Sequence, residues 1–456
     1  MSDQHLKPGE SYLHYRRRVL DTKSDTFCGA KWYYATIWLN SGMTTSCHHP
    51  LPHHVSEEEV QKNYKALSNT ARKKQERQEM KDGVRCNGCD YCWKIEDLDN
   101  NQVSDRVYKS VLYSDEDLQT AYQADSSVDF DLKYLEISFD RTCNLACSYC
   151  NPAFSTSWAR DIKQNGPYIN LSADGTNHYG HAHNQSGKYD NTDSNPYVDA
   201  FFKWWEADLN KTLTHLRLTG GEPLMSQHTW KLLDWFKTNN SKKDLYFAIN
   251  TNLMAKDDLI DRLIVSVQEL SNFHIYTSNE TVGSSAEYLR DGLNWNVWQH
   301  NVHKILKSGV TKGLHSMCTI NAASVVGLTD YLNWCVEIKK EYGIDSFYFT
   351  LNILRFPNFQ SCLTLPQTIR NTVADDLKSW LATVDHSLLN AMEISHVERL
   401  IQFLVDAGNQ HSNDASQMNK DFRQFYSQYD LRRNKDFAKT FPYLKEWYDS
   451  IHVQQQ

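Results

Sequence analysis

The chain has no run approaching the roughly 18 apolar residues that a membrane-spanning helix needs. Its opening segment, MSDQHLKPGESYLHYRRR, lacks the apolar stretch of a secretory signal. Both absences lead to the expectation of a soluble, cytoplasmic protein with no membrane partner. An excess of positive charge is missing too: 48 Lys plus Arg stand against 56 Asp plus Glu, for a formal net charge of −8. That balance argues against a nucleic-acid footprint over the whole chain. The local stretch ARKKQERQEMK (71–81) alternates its charges and reads as the solvated face of a helix.

What is present is enough for several cores. The 456 residues include 13 Trp and 25 Tyr, and apolar residues make up 40%. The 11 Cys cluster at ligand spacings, which in a reducing compartment points to metal and away from disulfides.

Three regions are expected: 1–125, Cys- and His-rich; 126–360, an alternation of strand-like and helical runs; and 361–456, helical. In the middle region the strand candidates are LKYLEISF, LTHLRLTG, LYFAINTN, FHIYTS, LHSMCTIN and SFYFTLN. Between the later ones sit HTWKLLDWFK, KDDLIDRLIVSV, NVWQHNVHKILKSG and GLTDYLNWCVEIKKEYG, apolar at helical spacing. Strand, helix, strand in succession predicts an α/β fold with a parallel sheet, and six strands suit a partial barrel. Chemistry in such sheets gathers at the C-terminal strand ends. One stretch, 164–198, is rich in Gly, Asn, Ser and Asp and reads as a mobile insertion beside the site; its His178, His181 and His183 are weak metal candidates.

Two motifs carry chemistry. The first strand candidate leads into CNLACSYC, where Cys143, Cys147 and Cys150 stand at Cys-x3-Cys-x2-Cys spacing. Three thiolates from one loop, where most iron–sulfur clusters take four, leave one iron of a cube open to a small molecule. The second strand candidate ends in TGGEP, with Gly220, Gly221, Glu222 and Pro223; adjacent glycines let backbone approach a ligand closely. A separate N-terminal set comprises Cys28, Cys47, Cys86, Cys89 and Cys92, near His48, His49, His53 and His54. Zinc suits a mixed Cys/His set and an iron–sulfur cluster suits four thiolates.

With CNLACSYC followed by GGEP, residues 130–360 resemble the core of the radical SAM superfamily. The resemblance implies a partial (β/α)6 barrel in which Cys143, Cys147 and Cys150 hold a [4Fe–4S] cluster that binds S-adenosylmethionine (SAM). It implies that Gly220, Gly221 and Glu222 line the methionine end of SAM and that Tyr149 lies beside the adenine. Asn250 and Asn252 in NTN resemble a family Thr-Asn-Gly, with Leu253 in place of the glycine; Ser278 matches a ribose contact; and Arg290 matches an arginine that pairs with the SAM carboxylate. The pattern FC-x3-W, a later Cys and Cys-x2-Cys is similar to the twitch domain, the shortened relative of SPASM domains. That likeness implies an auxiliary [4Fe–4S] cluster on Cys28, Cys47, Cys89 and Cys92, with Cys86 supernumerary, although such modules commonly follow the core.

The implied activity is reductive cleavage of SAM to a 5′-deoxyadenosyl radical that takes a hydrogen from a substrate, above all a peptide or protein side chain. An electron donor such as flavodoxin or ferredoxin is implied. The alternatives are a small-molecule substrate, such as a sugar or nucleoside-like compound, and a non-catalytic iron–sulfur scaffold or electron carrier.

Overall fold

A computed structural model describes residues 5–99, 101–180, 187–239, 244–406 and 415–453. Its strands are β1 (Tyr34–Trp38), β2 (Met43–Thr45), β3 (His53–His54), β4 (Tyr134–Ser138), β5 (Ala146–Cys147), β6 (His215–Thr219), β7 (Tyr246–Asn250), β8 (Phe273–Thr277), β9 (Arg290–Asp291), β10 (Gly313–Ile320) and β11 (Phe347–Ile353). The six apolar runs picked from the sequence are β4, β6, β7, β8, β10 and β11. The four helical runs are the helices Gln227–Thr238, Asp257–Val267, Trp295–Ser308 and Leu328–Tyr342. The fold is α/β with parallel strands and a helical C-terminal region. Among the described residues, no helix is long and apolar enough to cross a membrane.

The chain divides into two compact units, Met1–Asp140 with Lys188–Leu218, and Arg141–Gly187 with Thr219–Gln456. In the first, strands run in the order β6-β4-β1-β2-β3. β1 is parallel to β4, Tyr34 facing Tyr134 and Trp38 facing Ser138, and antiparallel to β2. The sequence reading did not foresee β1. Its residues are buried at four consecutive positions, so the polar–apolar alternation that marks a half-exposed strand is absent. Around it, Tyr15, Phe27, Trp32, Trp93 and Tyr113 form a core shared with Cys86, Cys89 and Cys92.

The 71–81 stretch corrects the expectation of a solvated charged face. Helix Ala71–Lys81 buries Lys73, Glu76, Arg77 and Met80. Buried charges persist when paired and hydrogen-bonded, and these are: Lys31 Nζ lies 2.6 Å from Glu76, Lys73 donates to the Tyr34 carbonyl and to Ser68 Oγ, each at 2.8 Å, and Arg77 donates to Asn69 Oδ1.

In the second unit, β11-β10-β8-β7 form a parallel ladder. Helix Ala391–Asp406 is tied to helix Leu328–Tyr342 by a fully buried ion pair, Lys339 to Glu393 at 2.6 Å, and to β11 by the Phe349 amide, which donates to Glu393. The start of the 164–198 stretch is anchored. Tyr168 and Tyr179 are buried and pack on Phe425 of helix Ala415–Arg433, with ring centroids 5.0 and 4.5 Å apart. His178 closes a short helix there, and His181 and His183 lie outside the described residues.

Candidate active site

The loop from Thr142 to Ser155 carries the cysteine triplet, and its backbone is held from several sides. The Cys143 carbonyl accepts from Ser157 Oγ at 2.8 Å, the Cys147 carbonyl from Trp158 Nε1 at 2.9 Å, and the Ser148 carbonyl from Tyr179 Oη and from Gln360 Nε2. Tyr429 of the C-terminal helix donates to the Ala146 carbonyl, and His178 Nε2 meets the Tyr149 carbonyl at 3.1 Å. Of these braces the sequence singled out His178 alone, and as a metal candidate, whereas its Nε2 is engaged with the Tyr149 carbonyl. Trp158, Tyr179 and Tyr429 offered only the general signal that buried Tyr and Trp seek a partner for their polar ends.

Cys143, Cys147 and Cys150 line one cleft with Tyr149, Thr219, Gly220, Gly221, Asn250, Ser278, Arg290 and Thr319. Most come from the C-terminal ends of β6, β7, β8 and β10. Gly220 takes φ +126°, a conformation side chains disfavour. At Gly221 the requirement is space: a Cβ there would stand 2.5 Å from the Arg141 carbonyl oxygen. The next amide, Glu222 N, donates to the Thr142 carbonyl at 2.6 Å. The glycine pair thus lets the GGEP turn press against the root of the cysteine loop.

Glu222 departs from the expectation that it lines the cofactor cleft. Its carboxylate is buried and accepts from the Leu224 amide (3.0 Å), Thr251 Oγ1 (2.7 Å) and the Asn252 amide (2.6 Å). It ties the turn after β6 to the turn after β7. Burial pushes its carboxyl up to about 7, outweighing the three donors that pull the other way. In that second turn, Leu253 holds φ +55°, the left-handed conformation that the family's glycine would take without strain. Its burial and the Asn301 bond to its carbonyl keep it there.

Arg290 lies opposite Cys147 in the two-residue antiparallel pairing of β5 and β9. Its Nη1 approaches Cys147 Sγ at 3.6 Å, while Nη2 and Nε bond Glu280 at 2.9 and 3.3 Å. Tyr149 Oη donates to the same carboxylate at 3.0 Å. Glu280 was missed from the sequence. The available signal was a carboxylate two residues past Ser278 in TSNETVG, with a cation ten residues on.

Do these residues suit an iron–sulfur cluster? Donors aim at the sulfurs: the Leu145 amide at 3.5 Å and Asn252 Nδ2 at 3.9 Å from Cys143 Sγ, besides Arg290 on Cys147. Burial pushes all three thiols up, Cys150 to about 12. They become thiolates readily only when a metal cation takes the place of the proton. The residues fit.

In the first unit, Cys28, Cys47, Cys89 and Cys92 line a single cavity together with Lys31, His49, Asp105, Arg106 and Lys109. Cys86 is outside that lining, its Sγ donating to the Glu76 carbonyl. Burial pushes Cys28 up to about 11 and Cys92 to about 12, whereas Cys89 is drawn down by its hydrogen bond with Cys86. His49 bonds Asp105 at 2.7 Å within the cavity lining, while His53 is engaged with Thr70 at 2.8 Å and His54 with Tyr197 at 3.3 Å. Among the described residues, no three Cys, His, Asp or Glu converge on a single ion-sized point. Four thiols around a cavity flanked by cations fit a tetrathiolate cluster of negative charge.

No family model matches the chain. A GTP 3′,8-cyclase of Aliarcobacter butzleri (strain RM4018) is 26% identical over 208 residues, 45% of this chain and 47% of the cyclase; the chain spans about half the length of this curated relative. Among solved structures, Streptococcus suis SuiB bound to S-adenosylmethionine aligns with a TM-score of 0.33 and 13% identity, over 76% of this chain and 67% of that one. The protein anSMEcpe with bound AdoMet and Kp18Cys peptide aligns with a TM-score of 0.32 and 15% identity, over 54% and 60%. The chain thus combines a cysteine triplet, a Gly-Gly-Glu-Pro turn pressed against its loop and a likeness to the cyclase over under half of its length.

Proposed function

We propose that the chain is a radical SAM enzyme. The observation that carries this reading is the single cleft at the C-terminal strand ends where the thiols of Cys143, Cys147 and Cys150 meet Gly220, Asn250 and Ser278. In this reading the three thiols hold a [4Fe–4S] cluster and leave one iron for SAM. When bound, the cluster supplies the electron for reductive SAM cleavage, and the resulting radical takes a hydrogen atom from the substrate.

The chain's own residues orient and exclude. The Gly220 carbonyl and the opening beside Gly221 receive the methionine end, Ser278 and Asn250 offer polar contacts to the remainder, and the half-buried Tyr149 ring supplies a flat wall for the adenine. Glu222 keeps the two turns in register from behind. Cys28, Cys47, Cys89 and Cys92 hold an auxiliary cluster, with Lys31 and Lys109 offsetting its charge. A flavodoxin or ferredoxin would supply the electron.

The substrate in this reading is a peptide or protein side chain, on the resemblance to twitch and SPASM proteins. The match to a cyclase named for a nucleotide favours a second reading, a nucleoside-like small molecule. Anaerobically reconstituted protein, given SAM, a strong reductant and either peptide or nucleotide panels, separates them. Stimulated 5′-deoxyadenosine release together with a mass change in a peptide supports the first; stimulation by nucleotides alone overturns it.

A further inference from the structure

The geometry points to Glu280 as a positioning residue that fixes Arg290 on the sulfur of Cys147, so that Arg290 acts on the cluster held by the cysteine triplet and is withheld from the SAM carboxylate. This rests on the radical SAM reading above.

Four observations carry it. Arg290 is 4% exposed and Glu280 0%, so neither charge is free to swing into solvent. The guanidinium is already committed on three nitrogens, Nε and Nη2 to Glu280 and Nη1 to Cys147 Sγ. A carboxylate ligand would have to displace a buried Glu280 whose Oε2 accepts from both Nε and Nη2 and whose carboxyl group also accepts from Tyr149 Oη at 3.0 Å. Finally, the β5–β9 pairing sets Cys147 directly across from Arg290, which makes the contact a property of the backbone register and not of one flexible rotamer. A cationic donor on a cluster thiolate withdraws charge from the sulfur and favours the reduced cluster. Glu280 keeps that donor in place while neutralising it, which limits the cost of a buried cation.

The test uses the full chain, reconstituted anaerobically with iron and sulfide. It reads the midpoint potential of the cluster whose EPR signal responds to added SAM, measured without SAM, and separately the SAM affinity by spectral titration. Arg290→Gln is expected to make reduction at a fixed potential at least tenfold less favourable, about 59 mV for one electron, with SAM affinity changed less than threefold. Glu280→Gln and Arg290→Gln are expected to be non-additive in midpoint.

An unmoved midpoint with a tenfold or greater loss of SAM affinity overturns the proposal and returns Arg290 to the SAM carboxylate. Additive effects overturn the positioning role of Glu280. Each single variant leaves a buried charge without its partner. Where one fails to fold, the double variant decides: a more negative midpoint supports the proposal and an unchanged one overturns it. Wild-type protein that takes up no iron and sulfide overturns this inference and the radical SAM reading together; a cluster with an unmoved midpoint overturns only this one.

Discussion

Gly221 lies directly against the backbone of Thr142, and the amide that follows Gly221 donates to the Thr142 carbonyl at 2.6 Å. The turn after β6 and the root of the cysteine loop are therefore in backbone contact, with no side chain between them.

Gly221→Ala forces a methyl group into the Arg141 and Thr142 carbonyls, which are backbone and cannot rotate away. Overpacking of this kind costs about 1–3 kcal/mol. The expected outcome is a lower thermal midpoint and reduced iron uptake by the triplet, measured by calorimetry and by iron content after reconstitution.

Leu253→Gly tests two opposed terms. Relief of the left-handed backbone returns about 1–2 kcal/mol. Loss of a fully buried leucine side chain costs about 2–5 kcal/mol, and glycine's added freedom in the unfolded chain costs about 0.5–1 kcal/mol more. Burial wins, so the variant is expected to be less stable by about 2–3 kcal/mol in denaturant titration, although glycine stands at this position in the family pattern.

Glu222 makes stability depend on pH. Its folded-state pKa, about 7, lies above the ordinary carboxyl value of 4.5, so the native state holds this proton more tightly than the unfolded chain. Its contribution is fully present below about pH 4.5 and is lost as the pH rises through about 7, a change of about 3 kcal/mol. Glu222→Gln is expected to flatten the fall in stability between pH 5 and pH 8 relative to wild type; equal slopes in the two proteins would contradict the assignment.

The N-terminal cysteines separate by role. Cys86→Ser is expected to retain about eight irons per chain, and a variant with Cys28, Cys47, Cys89 and Cys92 all replaced by Ala about four. Iron and acid-labile sulfide analysis, with a test for zinc, checks both. Stoichiometric zinc in place of iron would contradict the tetrathiolate reading.

Much of the fold was legible because the strands alternate with long amphipathic helices and β8, β10 and β11 alternate buried with less buried positions, a pattern that reads locally. The strand β1 was not legible, because burial on both faces erases alternation. The candidate site divides in the same way. Cysteine spacing is a local property, and it selected thiols that line common cavities. The engagement of Glu222 behind the cleft and the pairing of Glu280 with Arg290 depend on which turns meet in space. Nothing in GGEP or SNE alone distinguishes a carboxylate that faces a ligand from one that braces a loop. The buried charges of helix Ala71–Lys81 follow the same logic: its alternating signs looked like solubility and serve as internal pairing.

The central claim is that Cys143, Cys147 and Cys150 hold a cluster that cleaves SAM. Its most direct test is 5′-deoxyadenosine release from SAM by anaerobically reconstituted wild-type protein under a strong reductant, set against a Cys143→Ala, Cys147→Ala, Cys150→Ala variant, with candidate substrates present. Release by the wild type and none by the variant is the predicted result. Release at equal rates from both, or none from wild-type protein that carries its full iron and sulfide and binds SAM, would contradict it.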